Sequence, residues 1–303
     1  MARGTSSLDD ELIGLLRKDG RASVSAVSRR LGVPRPLVRE RLHRLVEDGH
    51  LAVTAIADPV VLGLETLCHL AVHVSSAPQG VARALAALPE ASLVTITSGP
   101  HDVVVEIRSH NQRETFEIIA RVREVPGITR VTTLLYVDVH KSPYSSLTTR
   151  PERTQLDALD RQLIGALQRD GRASYTALGK TLGVSESTAR GRVKRLIDDH
   201  VIRITAVAKR NRVTQSLAMG LGINVGGDIG RLIRTLAASP QVEFVATSIG
   251  AFDMLATVSA ASLEDLQSVV DGIRDEPEVM RVETWVHLTI VKESYSPARP
   301  IDA

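Results

Sequence analysis

The sequence predicts an α+β fold in which one two-domain module is written twice. Three observations predict it. The phrase GRAS stands in RKDGRASVSAV from Arg17 and again in QRDGRASYTAL from Gln168, 151 positions later. That register then holds without an insertion to the end of both halves, which is the signature of an internal repeat. Within each half the apolar residues change period, from helical spacing to strand alternation.

The register is visible in long matched stretches. LIGLL at Leu12 faces LIGAL at Leu163, RRLGV at Arg29 faces KTLGV at Lys180, and RERLHRL at Arg39 faces RGRVKRL at Arg190. SGPHDVVVEI at Ser98 faces IGAFDMLATV at Ile249, REVPGITRV at Arg123 faces RDEPEVMRV at Arg274, and Tyr144 faces Tyr295. The predicted boundaries are 1–62, 63–141, a polar linker at 142–155, then 156–213 and 214–293.

Taken in order, the second copy opens with LDRQLIGALQRD, where Leu159, Leu163, Ile164 and Leu167 form a helical stripe. Gly171 is expected to stop that helix. Ser174 is a good N-cap for SYTALGKTLG, which Gly183 ends. Ser185 caps a third helix, ESTARGRVKRLIDD, with a core stripe of Ala189, Val193, Leu196 and Ile197. IRITAVA then alternates as a strand. Two short helices with a glycine turn, the second fronted by polar and basic residues, describe a helix-turn-helix, and the trailing strand would be its wing. The remainder of each copy reads as strand-helix-strand-strand-helix-strand. In the first copy these are TLCHLAVHV, GVARALAAL, SLVTITS, HDVVVEIR, ETFEIIARVRE and TRVTTLLYVDV, the order of a ferredoxin-like domain.

The chemistry follows from where charge sits. The net charge of +2 excludes a histone-like polycation. Yet Arg21, Arg29, Arg30, Arg35, Arg39, Arg41 and Arg44 face one acid, Glu40, and Arg172, Lys180, Arg190, Arg192, Lys194 and Arg195 face Glu186. Basic patches at the same point of a repeat are a footprint of phosphate binding. In the major groove a third helix leads with its N-terminal residues. That nominates Glu186, Ser187, Arg190, Gly191 and Lys194 in the second copy, and Arg35, Pro36, Arg39, Glu40 and His43 in the first. Arginine offers a guanine edge two parallel donors. Arg192 and Arg195, with Arg41 and Arg44 opposite, are expected to hold phosphates, and Ser23 and Ser174 to present helix N-termini to them.

Other classes are weighed and set aside. Cys68, the single cysteine, excludes an internal disulfide framework and a thiolate zinc site. No apolar run approaches a membrane span and no signal core precedes the first helix, so a cytoplasmic protein without a membrane partner is expected. His69 and His73 share a strand face but have no acidic neighbour, and a partly buried face is expected there, with no metal. Trp285 is the sole tryptophan, which argues against stacking platforms for single strands. No nucleophile elbow, paired-carboxylate cluster or glycine-rich phosphate loop is present, so the expectation is a chain that is not an enzyme and needs no cofactor.

With those residues in place, LGVSESTARGRVKRLIDDHVI resembles the DNA-reading segment of the Lrp/AsnC, or feast/famine, transcription regulators. The Gly99–Asp102 and Gly250–Asp253 turns are similar to those of that family's ligand-sensing (RAM, ACT-like) domain. The resemblance covers nearly the whole chain. It implies double-stranded DNA as partner, an amino acid or related small molecule as effector, and homo-oligomers in which this chain is already a pseudo-dimer. It further implies effector contacts at Gly99, Asp102 and Thr133, and at Gly250, Asp253 and Thr284. A carboxylate can pair with an α-ammonium group and glycine backbone can approach a carboxylate closely, whereas the plain alternative is a tight hairpin.

The copies depart from each other. Pro34 and Pro36 stand where the second copy has Ser185 and Ser187, and His200 stands where the first has Gly49, so identical half-sites are not expected. Two rivals stay open: an architectural DNA-binding protein of low specificity, and a small-molecule sensor or enzyme whose helices are structural. The reading adopted is a sequence-specific, ligand-responsive regulator.

Overall fold

The computed structural model describes residues 5–57, 59–142, 155–208 and 217–294. Most of the linker expected at 142–155, and Tyr144 and Tyr295, lie outside the described residues. Two compact units are present, each assembled from both repeats.

The first unit holds the helical heads. In head 1, α1 (Thr5–Lys18), α2 (Val24–Leu31) and α3 (Arg35–Glu47) are followed by β1 (Leu51–Ala57). In head 2, α6 (Ala158–Arg169), α7 (Tyr175–Leu182) and α8 (Glu186–Asp198) are followed by β6 (Ile202–Ala208). Local chemistry sets these ends. Ser23, Ser174 and Ser185 accept hydrogen bonds from Ala26, Ala177 and Thr188 backbone N–H groups at 3.1, 3.1 and 3.0 Å, satisfying donors a helix start leaves open. Gly183 ends α7 in the left-handed region at φ 70°. Head 1 lacks the third cap: Pro34 precedes α3 with no side-chain bond. Ala189, Val193 and Leu196 are buried against the head's core, as their stripe predicts.

β1 and β6 do not extend as separate wings. They pair with each other, antiparallel over their full length, with Thr54 opposite Thr205 at the centre. An isolated strand leaves its N–H and C=O groups unpaired, and here each repeat supplies the other's partner.

The second unit holds the two βαββαβ domains. The first comprises β2 (Thr66–Val74), α4 (Gln79–Ala86), β3 (Ala91–Ser98), β4 (Val103–Ser109), α5 (Gln112–Arg123) and β5 (Ile128–Lys141). The second comprises β7 (Leu217–Val225), α9 (Ile229–Ala238), β8 (Val242–Ile249), β9 (Met254–Ala260), α10 (Leu263–Arg274) and β10 (Val279–Glu293). β5 pairs with β8 and β10 with β3, so the two sheets close into one eight-stranded barrel in the order β10-β3-β4-β2-β5-β8-β9-β7.

Strand alternation gives each sheet two apolar faces. Leu70, Val72, Val103, Val105 and Ile107 pack with Ile118 and Val122 of α5, and Leu221, Ile223, Val245 and Val258 pack with Leu232 and Leu266. The intervening residues turn to the inside of the barrel, where Val104, Leu134, Phe252, Leu255 and Trp285 form a third core. No helix among the described residues is long and apolar enough to cross a membrane.

Candidate nucleic-acid interface and effector sites

The two heads are joined by a reciprocal clasp built from the GRAS loops. Arg21 donates to the Gly171 and Ala173 carbonyl oxygens at 3.2 and 2.8 Å. Arg172 donates to those of Gly20 and Ala22 at 2.8 and 3.1 Å. The loop glycines meet the facing strand: Gly20 N–H donates to Ile204 O at 3.0 Å and Gly171 N–H to Val53 O at 2.8 Å. A Cβ on Gly20 would lie 2.8 Å from the Ile204 carbonyl oxygen, and one on Gly171 3.0 Å from the Thr54 nitrogen. Gly171 therefore does not serve as the helix stop expected of it. Asp170, in extended backbone, caps α6, and the glycine is required by backbone packed against it from the other head. Arg21 and Arg172 belong to this joint, and burial together with Arg21 nearby depresses the Arg172 pKa.

The helix fronts are open. Pro36, Arg39, Glu40 and His43 on α3, and Glu186, Ser187, Arg190, Gly191 and Lys194 on α8, are exposed, as are Arg35, Ser23 and Ser174. They are not alike in detail. On α8, Arg190 Nη2 donates to Glu186 at 2.7 Å, Thr176 Oγ1 donates to the same carboxylate at 2.6 Å, and the Arg190 guanidinium sits 5.2 Å from the Tyr175 ring. The Thr176 and then the Arg190 hydrogen bonds hold the Glu186 carboxyl below the usual carboxylate range. On α3, Arg44 pairs with Glu40 at 2.8 Å and His43 with Glu47 at 3.0 Å.

Three of the four arginines expected to hold phosphates are engaged inside the head. Arg192 pairs with Asp157 and with Asp160 at 3.2 Å, and Arg195 pairs with Asp160, whose side chain is 1% exposed. Asp157 and Asp160 also form a capping box at the start of α6. Arg41 lies 3.8 Å from Asp9, the matching acid of head 1. A buried carboxylate needs such partners, so these guanidinium groups fasten the reading helix to the first helix. The sequence contained both acids, but a contact between residues 32 to 35 positions apart leaves no periodic trace.

The turns expected to bind effector are brought together across the repeats. A Cβ on Gly99 would lie 3.1 Å from the Thr284 carbonyl oxygen, and one on Gly250 3.2 Å from that of Thr133. Gly99 and Asp102 of the first copy thus share a corner with Thr284, and Gly250 and Asp253 of the second with Thr133. Each aspartate also shapes its hairpin: Asp102 accepts from Val74 N–H at 2.8 Å and Asp253 from Val225 N–H at 2.9 Å.

Beneath the first corner, inside the barrel, lies a polar group that sequence reasoning did not assemble. The His101 and Trp285 rings are 4.9 Å apart, and His69 lies 5.7 Å from Trp285. Burial lowers the pKa of His69 to about 3 and of His101 to about 4, with neighbouring histidines adding to both shifts. Tyr136 donates to Glu106 at 3.0 Å, and burial followed by that carboxylate raises its pKa. His101 Nε2 and Trp285 Nε1 are buried and lack a hydrogen-bond partner among the described residues. The second copy has Gly220 and Phe252 where the first has His69 and His101; the Trp285 ring occupies the space a Gly220 side chain would need, 2.1 Å from its Cβ position. His73, grouped with His69 in the sequence, is only half-buried at the strand end.

Residues 6–46 and 156–197 match the AsnC-type helix-turn-helix domain, and residues 67–145 and 221–297 match the Lrp/AsnC ligand binding domain. The chain belongs to the Lrp/AsnC family. Its domain content is that of an Lrp/AsnC-type transcriptional regulator, with DNA-binding and small-molecule-binding domains each present twice. It is 32% identical over 136 residues to the HTH-type transcriptional regulator FL11 of Pyrococcus horikoshii, an alignment covering 44% of this chain and 90% of that protein. It is 32% identical over 163 residues to AldR of Mycobacterium tuberculosis, covering 52% of this chain and 88% of AldR. Each alignment thus covers about half of this Lrp/AsnC chain.

Among solved structures, the siroheme decarboxylase NirDL shares the fold over 96% of this chain and 95% of its own, with a TM-score of 0.66 and 16% identity. This corrects the expectation that the chain is not an enzyme. An enzyme shares this fold, so neither the fold nor the missing linear motifs exclude catalysis. The physical reason lies in the barrel: its interior is lined from strands of both repeats, and residues gathered that way, such as His69, His101 and Trp285, form no motif along the chain.

Proposed function

We propose that this protein is a sequence-specific, double-stranded-DNA-binding transcriptional regulator acting in the cytoplasm. One chain takes the place of a dimer, and an amino acid or related small molecule modulates it. The observation that carries this reading is the clasp. Two exposed, cationic reading helices are held in one body by β1–β6 pairing and by Arg21 and Arg172, as recognition of two adjacent half-sites requires. In this reading Arg35, Pro36, Arg39 and His43 of α3, and Glu186, Ser187, Arg190 and Lys194 of α8, face the major groove. Ser23, Ser174 and Arg44 steady the helices against phosphates, while Arg41, Arg192 and Arg195 brace the reading helices through Asp9, Asp157 and Asp160. The Gly99–Asp102–Thr284 and Gly250–Asp253–Thr133 corners take the effector. Domain boundaries fall at 62/63, 141/142, 155/156 and 213/214, and chains associate further as homodimers or larger assemblies.

Fluorescence anisotropy of the purified chain on its own upstream intergenic DNA, against a scrambled duplex across a salt series, tests it. Upstream preference of about a hundredfold or more with a steep salt slope is expected. Equal binding to both duplexes would favour an architectural role, and absence of binding at low salt would remove the regulator reading. Adding single amino acids to the same assay tests the effector.

A second reading has one specific observation behind it, the unpartnered polar atoms of His101 and Trp285 inside the barrel. They support a small-molecule or catalytic site there. NirDL has been crystallised with an iron-uroporphyrin III analogue, so iron uroporphyrin is a suitable probe. A shift of its absorption bands that His101→Phe abolishes would support this reading, and an unchanged spectrum would count against it.

A further inference from the structure

The two reading helices have become different instruments. α8 carries Arg190 in a fixed position: its guanidinium is hydrogen-bonded to Glu186 at 2.7 Å and faces the Tyr175 ring at 5.2 Å. Glu186 is held in turn by Thr176, and the Tyr175 ring is faced by Arg21 of head 1 at 4.6 Å. Arg21 is itself anchored on the Gly171 and Ala173 carbonyls. A chain of contacts therefore runs from the joint between the heads to one arginine at the front of α8.

Head 1 has none of these parts. Val24 stands in place of Tyr175, Ser25 in place of Thr176, and Arg35 in place of Glu186. Arg39, the counterpart of Arg190, makes no ion pair among the described residues, and Pro34 leaves α3 without a side-chain cap. The α3 front thus presents two cations without an ion pair among the described residues, and Glu40, next to Arg39 in the chain, is paired with Arg44.

A guanidinium already held loses less side-chain freedom on binding and reaches one base geometry, whereas a free one settles on whichever phosphate is near. Arg190 with Glu186 further offers both donors, suited to guanine O6 and N7, and an acceptor, suited to cytosine N4. Arg35 with Arg39 offers donors alone, which suits backbone oxygens.

We infer that the operator is directional: α8 reads a G·C-containing half-site through Arg190 and Glu186, while α3 holds the neighbouring half-site through its phosphates with little base preference. Tyr175 acts as a positioning residue for Arg190. This rests on the DNA-binding function proposed above and adds which head discriminates.

The test is selection of duplexes from a randomised library by the full chain, followed by anisotropy with variants on the winning duplex and a scrambled one. One informative half-site beside a weakly specified one is expected. Arg190→Ala should lose discrimination by about ten- to hundredfold, with binding to scrambled DNA changed far less. Arg39→Ala should weaken both duplexes alike and lower the salt slope by about one. Tyr175→Val should lower discrimination and Tyr175→Phe restore it, with thermal midpoints confirming folded variants. A palindromic motif with two equally informative halves would overturn the inference while leaving the regulator intact, as would equal effects of Arg190→Ala and Arg39→Ala. Absence of binding to any duplex would remove both.

Discussion

Arg21 and Arg172 occupy equivalent positions of the two repeats, and each donates to two carbonyl oxygens in the loop that contains the other. Glycine stands beside each arginine because the facing strand leaves no space for a side chain. Arg21→Ala is expected to destabilise the paired heads by about 1–3 kcal/mol, since its bonds are charge-assisted but partly exposed. Gly20→Ala should cost at least as much by overpacking against Ile204, about 1–3 kcal/mol. Hydrogen exchange of β1 and β6 amides is the direct measurement, because both should lose protection together.

His200 is the one non-glycine residue with positive φ among the described residues, at 57°, where head 1 has Gly49 at 64°. A side chain in the left-handed region costs about 1 kcal/mol. His200→Gly should therefore raise the thermal midpoint of the full chain by a few degrees. Pro34→Ser should act in the same direction by supplying the cap that Ser185 gives α8, again about 1 kcal/mol.

Acid should weaken the barrel through its buried histidines. His69 and His101 have folded pKa values lowered to about 3 and about 4 from 6.5. Unfolding lets each bind a proton between that lowered value and 6.5, so the unfolded state holds more protons in this window. Their neutral forms contribute fully above about pH 6.5, and stability falls as pH drops, by up to about 1.4 kcal/mol per pH unit for each histidine. Denaturant midpoints measured between pH 7.5 and 4.5 should show this slope. His101→Phe, the residue the second copy uses, should flatten it.

Asp160 is buried and shared by Arg192 and Arg195. Asp160→Ala would free Arg195, leave Arg192 with Asp157 alone and loosen α8 from α6, an expected loss of about 2–4 kcal/mol once the partial exposure of both arginines is allowed for. Asp9→Ala should cost less, because its one arginine is 3.8 Å away and the acid is 21% exposed. Chemical denaturation of the two variants side by side tests the ordering.

Asp102 and Asp253 separate two roles that one residue can combine. Their carboxylates accept strand N–H groups, which asparagine can also do. Asp102→Asn should therefore keep stability within about 1 kcal/mol, whereas Asp102→Ala should lose about 1–3 kcal/mol. If the carboxylate also receives an effector ammonium group, both variants lose the effector's influence on DNA binding. An unchanged response in Asp102→Asn would assign the residue to the hairpin alone.

Local chemistry was legible in the sequence and distant chemistry was not. Ser174, Gly183 and Ser185 act within a few residues of themselves, so the ends of α7 and α8 could be read directly, as could the Ala189–Val193–Leu196 stripe. The strand-helix order of the barrel domains followed from alternation and repeat. What pairs β1 with β6, or β3 with β10, lies in the other repeat, and no period within one half records it. For the same reason no local pattern points from Gly171 to the facing strand, from Arg192 and Arg195 to Asp160, or from His69 to His101 and Trp285.

Barrel closure has a consequence for synthesis on the ribosome. When β3 and β5 first emerge, the strands that will cover their outer edges, β10 and β8, have not been made. Roughly two hundred residues separate β3 from β10, which at ordinary elongation speeds is about 10–40 s. During that interval the nascent first repeat exposes two unpaired sheet edges, the kind of surface that recruits a strand from another chain. Covalent connection to the second repeat raises the local concentration of the correct strands once they appear. Faster translation between residues 142 and 293 is therefore expected to favour a newborn chain that closes on itself over one that exchanges halves with a neighbour.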